Sequence, residues 1–220
     1  MNEKPEQYKK NNEPVNIALF ASGSGTDANA ILDAQDRGLI NDGRITLLVA
    51  TKENAGCIDV GKNHKVKVEV VSKSKLKNDF ASEVKKVLHE NHINLAFLVG
   101  CIHMIPVLPD IPMYNIHPAD IKQHGGKGYY GIKVHQSVLT KIKAEMEDDR
   151  ERGINRWFTW ITIHEVDNHY DHGKPFIRAA VEVFPETDDE FILQKRVLQY
   201  EWMMLPTAVN MAIRRLKMKR

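Results

Sequence analysis

Val15-Asn16-Ile17-Ala18-Leu19-Phe20-Ala21, followed at once by Ser22-Gly23-Ser24-Gly25-Thr26, is the stretch that decides the fold. The first seven residues form a mostly apolar run of strand length, and the glycines that follow punctuate it. A helix is predicted from about Asp27 to Arg37. Strand, glycine-rich turn and helix in that order open an α/β unit.

Downstream, Arg44–Ala50 reads as a second strand, Ala55–Asn63 as a short helix and Val66–Val71 as a third strand. Leu76–Asn91 carries Leu76, Phe80, Val84, Val87 and Leu88 at helical spacing, and Leu95–Val99 is a fourth strand. This alternation predicts an open, mostly parallel, Rossmann-like sheet with helices on both faces. The second half differs. Gly125–Gly131 reads as a glycine-rich loop, with a helix from Val134 that runs into the charged stretch Lys141–Arg152. Phe158–Val166 and Pro175–Val183 read as an antiparallel pair joined by Asp167–Lys174, so the sheet gains an antiparallel C-terminal portion. Thr187-Asp188-Asp189-Glu190 reads as a capping box opening a long last helix, kinked at Pro206.

Upstream, Met1–Pro14 is polar and charged. It predicts a loose N-terminal tail over residues 1–14, ahead of one domain over 15–220. It has the pattern of neither a signal peptide nor a membrane span, and no later run approaches the ~20 apolar residues that cross a bilayer. No membrane partner is therefore expected. Lys and Arg number 31 against 29 Asp and Glu, which argues against a nucleic-acid binder driven by bulk charge. The two cysteines, Cys57 and Cys101, make no disulfide scaffold, and a reducing cytoplasm fits them best. The chain length suits a monomer or a homodimer equally.

Three groups stand out chemically. Asn115-Ile116-His117-Pro118 follows the short segment Met113-Tyr114, and Asp171 lies further on. An amide, an imidazole and a carboxylate are what acyl transfer needs to steady an oxyanion and move a proton. The Gly23–Thr26 turn offers free backbone N–H groups at a helix N-terminus, a setting for a phosphate or simply a tight βα turn. The dinucleotide fingerprint is incomplete, because Ala28 holds its last position. Asp27 is an anion where an anion would bind. His164, His169 and His172, with Asp167 and Asp171, invite a metal reading, but their spacing matches no zinc pattern and a polar loop explains them; no metal is expected.

Taken together, the strand-SGSGT-helix unit, N-I-H-P, the glycine loop and Ile161–Gly173 (ITIHEVDNHYDHG) resemble the formyltetrahydrofolate-dependent formyltransferases, over about residues 15 to 210. The resemblance implies the formyltransferase fold and a purine-biosynthesis reaction. In it, 10-formyltetrahydrofolate, as co-substrate, gives its formyl group to the amine of glycinamide ribonucleotide. It implies catalytic roles for three residues. Asn115 donates to the oxyanion, His117 supports it and assists proton movement, and Asp171 holds His117 and orders a water. Gly23, Ser24, Gly25, Thr26 and Asp27 would meet the substrate phosphate, and Glu201 the ribose hydroxyls. Ile102, His103, Met104 and Ile105, with Asn115, would line the folate site, and Lys77 would meet the folate glutamate tail. The chain departs from the family pattern at Asp27, usually asparagine, at His103, often arginine, and at Ala119, often serine. Two alternatives stay open: transfer to another amine such as an amino sugar, or a binding homologue with weak catalysis.

Overall fold

The computed structural model describes residues 13–219, so most of the tail expected over residues 1–14 lies outside the described residues. The chain runs β1 (Val15–Ala21), α1 (Thr26–Asp36), β2 (Gly43–Ala50), α2 (Cys57–Asn63) and β3 (Lys67–Val70). It continues through α3 (Lys73–Leu76), a 3₁₀ turn (Lys77–Asp79), α4 (Phe80–Glu90), β4 (Leu95–Leu98) and β5 (Met113–His117). It ends with α5 (Ile121–His124), α6 (Ile132–Glu151), β6 (Trp157–Glu165), β7 (Pro175–Val183) and α7 (Glu190–Met218). The seven strands form one sheet in the order β3-β2-β1-β4-β5-β6-β7. Strands β1 to β5 pair in parallel, and β5–β6 and β6–β7 pair antiparallel. The expected α/β architecture, with its antiparallel C-terminal portion, is the observed one.

The core follows from strand alternation. Along β1, Val15, Ile17, Leu19 and Ala21 point into one apolar cluster, with α1, α6 and α7 packed on that face. Ala18 and Phe20 point into the other cluster, against Phe80, Val84 and Leu88 of α4. Both faces are covered, which is why β1 carries almost no polar residue. Truncating a fully buried aromatic such as Phe20 to alanine would cost about 3–5 kcal/mol.

Three expectations shift in detail. The helix predicted over Leu76–Asn91 breaks, because Lys77 adopts φ 48° and ends α3; α4 restarts at Phe80. Asn115, Ile116 and His117 belong to β5 itself rather than to a loop after it. The N-cap of α7 is Asp189, whose carboxylate accepts from the Phe191 and Ile192 amides, not Thr187. The expected long last helix, with Pro206 inside it, is present as α7.

Strand order reverses between β1 and β4, and a crevice opens at that switch point beyond their C-terminal ends. There the Ser22 amide donates to the Gly100 carbonyl at 3.1 Å, and the Ile102 amide donates to the Ser22 hydroxyl at 3.0 Å.

Candidate active site

The crevice is a cleft of about 700 Å³ lined by Ser22, Gly23, residues 100–105, Asn115, His117, the loop 126–131, His164 and Asp171. Strand β5 brings Asn115 and His117 to it on one side of the pleat. The β6–β7 connection brings Asp171, which sits at φ 49° and turns its carboxylate inward. Gly125 packs under it: a Cβ at that position would lie 2.9 Å from the Asp171 Cβ and 2.4 Å from the Ile121 carbonyl oxygen.

Asp171 is surrounded by nitrogens. Asn115 Nδ2 donates to its Oδ1 at 3.1 Å, and the Gly126 amide donates to its Oδ2 at 3.0 Å. His117 Nδ1 lies 3.4 Å and His164 Nε2 3.5 Å from Oδ1. Burial alone would push this carboxyl up. The hydrogen bond and charge of His117 and the Gly126 amide outweigh it and hold Asp171 well below the usual carboxylate range. His117 is anchored from behind, where its Nε2–H donates to the His124 carbonyl at 2.8 Å. Behind it lies His135, 2% exposed, whose Nδ1 has no partner; burial, aided by His117, pushes it down to about 4, so it stays neutral. The Thr162 hydroxyl donates to the Ala119 carbonyl at 2.9 Å and ties the end of the N-I-H-P segment to β6.

The residues expected around the folate divide. Ile102, His103, Met104 and Ile105 line the cleft, whereas Lys77 is exposed on the 3₁₀ turn and does not. The His103 ring meets the Thr51 hydroxyl at 3.0 Å. Sequence reasoning missed Lys52, Tyr129 and Tyr130, which also line the cleft. It read His164 only as a metal candidate. A cross-strand signal was present in retrospect: Asn115 and His164 are directly opposed in the β5–β6 register.

At the glycine turn, Gly25 adopts φ 81° and caps α1. A Cβ there would lie 2.7 Å from the Cys57 Cα, so the turn accepts only glycine at this point. Gly23 lines the cleft, and the exposed Ser24 and Thr26 border the start of α1. Asp27 and Glu201 come together beneath the turn, 8% and 3% exposed, and neither lines the cleft. Asp27 Oδ1 has no hydrogen-bond partner. Burial pushes Asp27 up to about 6, with Trp202 partly offsetting it. Burial first and the Asp27 charge second push Glu201 well above the glutamate range. The pair thus retains a proton that two exposed carboxylates would lose.

Asp167, His169 and His172 place their ligand atoms within 4.8 Å of one another on the β6–β7 loop. Their rings are exposed, and His172 Nδ1 meets Asp167 Oδ2 at 2.6 Å, an ordinary pairing. His164 and the two cysteines stand apart from this cluster, and both thiols are free.

An amide, an imidazole and a carboxylate thus converge beyond the strand ends of an α/β sheet. The chain belongs to the formyl transferase family, whose pattern matches residues 15–209. Among its relatives, the chloroplastic phosphoribosylglycinamide formyltransferase of Arabidopsis thaliana is 34% identical over 193 residues, covering 84% of this chain and 61% of the relative. The chain thus spans about three fifths of that protein's length. The solved phosphoribosylglycinamide formyltransferase of Bacillus halodurans is 25% identical with a TM-score of 0.72, over 90% of this chain and 94% of that one. The glycinamide ribonucleotide transformylase 1 of Geobacillus kaustophilus is 27% identical with a TM-score of 0.71, over 91% and 100%.

Proposed function

We propose that the protein transfers the formyl group of 10-formyltetrahydrofolate to the amine of glycinamide ribonucleotide, as a cytoplasmic step of purine biosynthesis. The observation that carries the reading is the cluster of Asn115, His117 and Asp171 at the cleft, in a chain whose named relatives are phosphoribosylglycinamide formyltransferases. The amine nitrogen attacks the formyl carbon, and the formyl oxygen gathers negative charge. Asn115 donates an N–H to that oxygen and His117 supports it electrostatically. As the intermediate collapses, the bond from carbon to folate N10 breaks. N10 receives the proton that the attacking amine gives up, with Asp171 holding His117 and ordering the relaying water. No step needs a covalent intermediate or a metal. The folate lies against residues 102–105, and its glutamate tail extends toward the basic surface that includes Lys77. The acceptor phosphate takes the free amides at the start of α1, with Gly23, Ser24, Gly25 and Thr26 around it. Residues 15–220 act as one domain.

One observation favours a second acceptor. The buried Asp27–Glu201 pair beneath the turn opposes a dianion, which suits an amine carrying hydroxyls, such as an amino sugar. Incubating the protein with 10-formyltetrahydrofolate and glycinamide ribonucleotide should release tetrahydrofolate and formylated product in equal amounts. Turnover with a phosphate-free amino sugar and none with glycinamide ribonucleotide would replace the first reading by the second.

A further inference from the structure

His164 is 2% exposed, and both of its ring nitrogens are engaged. Nδ1 lies 2.9 Å from the Glu165 carbonyl oxygen, which only accepts, so Nδ1 carries a proton in either charge state. In the neutral ring Nε2 then holds a lone pair, and it faces Asn115 Nδ2 at 3.0 Å. The same Nδ2 lies 3.1 Å from Asp171 Oδ1, an ionised acceptor. Two acceptors on one side of the amide decide which way it faces: nitrogen toward Asp171 and His164, oxygen away.

We infer that His164 is a positioning residue for the transfer: as a neutral imidazole it accepts one Asn115 N–H and presents the amide to the cleft with its donors inward. The inference rests on the proposed reaction and adds a residue to it. The backbone is shaped for this contact. Asn115 and His164 are opposed across β5 and β6. A Cβ at Gly173 would come within 1.7 Å of the Glu165 oxygen that fixes the tautomer, so only glycine leaves that carbonyl in place. Both Asn115 N–H groups are occupied. The bond to a neutral nitrogen is the weaker of the two, so it is the one a developing oxyanion takes over.

Protonation of His164 reverses the contact. Nε2–H would then meet the Asn115 N–H groups donor to donor, and the amide would turn its oxygen inward. The titratable groups facing the ring are Asp171 from the β6–β7 loop and, behind that carboxylate, His117 from β5. Strand β7 sets Pro175 opposite, and the adjacent Glu165 carboxylate is drawn off to Arg215 at 2.7 Å.

The test compares His164→Gln, which offers an oxygen near the Nε2 position, with His164→Ala. We expect His164→Ala to lower kcat by roughly 10–100-fold with KM for the folate within about 3-fold. His164→Gln should recover kcat to within about 5-fold of wild type. Equal loss in both variants would overturn the inference. A second readout needs no acceptor. The Asn115 side-chain amide, assigned in a ¹⁵N spectrum by its loss in Asn115→Asp, should show two slowly exchanging protons in wild type and His164→Gln and rapid exchange in His164→Ala. An unchanged amide in His164→Ala would also overturn it. If wild type transfers nothing to glycinamide ribonucleotide while the spectra behave as expected, the acceptor assignment fails and the positioning role holds.

Discussion

Asp171 and Asp27 both lie beyond the C-terminal ends of the parallel strands, and both are largely withdrawn from water. Asp171 has the Asn115 amide, the Gly126 amide and the His117 ring as donors and is held low. Asp27 has a carboxyl oxygen with no partner and Glu201 as a neighbour, and is pushed up to about 6. Burial penalises the charge in both. The difference is made by what faces each carboxylate, so the cleft keeps an anion at neutral pH while the floor of the glycine turn resists one.

The contrast is tested hardest at its donors. Asn115→Ala removes one donor from Asp171 and the proposed oxyanion donor together, and turnover should fall by about 10²–10³-fold. Steady-state kinetics measure this, and near-normal kcat would leave the Asp171 cluster with no catalytic meaning.

The next test addresses Asp27. A carboxyl whose pKa is raised on folding is protonated in both states below pH 3.8, its ordinary value, and costs nothing there. As pH rises the unfolded chain ionises first, and the cost to the fold grows until the pH passes about 6. Asp27→Asn should therefore stabilise the protein at pH 8 by about 1–3 kcal/mol and gain little near pH 4. Urea unfolding at the two pH values decides it; a variant less stable at pH 8 than at pH 4, relative to wild type, would mean that Asp27 is paired in solution.

A smaller effect is expected on binding. If the acceptor carries a phosphate at the glycine turn, Asp27→Asn should leave its affinity unchanged or tighten it by about fivefold, the worth of relieving a repulsion of about 1 kcal/mol. Calorimetry with glycinamide ribonucleotide would show it. A large loss of affinity would instead favour the acceptor that lacks a phosphate here. The smallest effect concerns a third acid, Asp167, which holds two exposed histidines. Exhaustive chelation should leave activity unaltered, and stoichiometric zinc at Asp167, His169 and His172 by elemental analysis would contradict a metal-free reaction.

Most of this architecture was legible because strands buried on both faces announce themselves as apolar runs between glycines, as Val15–Ala21 and Leu95–Leu98 do. The break at Lys77 was not legible, since nothing in a lysine signals a positive φ. Asn115, His117 and Asp171 were readable as a chemical set. The partnership of Asn115 with His164 was not, because it depends on the β5–β6 register and on the tautomer that the Glu165 carbonyl selects. The depth of Asp27 and Glu201 was equally hidden: it comes from the packing of α1 against α7, not from either residue type.

Strand β5 is where the sheet changes from parallel to antiparallel pairing, and this has a consequence for the order of assembly. Strand β1 meets β4 only across 78 positions of chain and Asp171 reaches Asn115 across 56, whereas each helix closes within itself. Contacts of long sequence separation are slow to form. After dilution from denaturant, helical circular dichroism should recover before catalytic competence, with the delay set by pairing of β4 with β1 and docking of the β6–β7 hairpin onto β5. Simultaneous recovery of both signals would show that these long-range pairings close as early as the helices form.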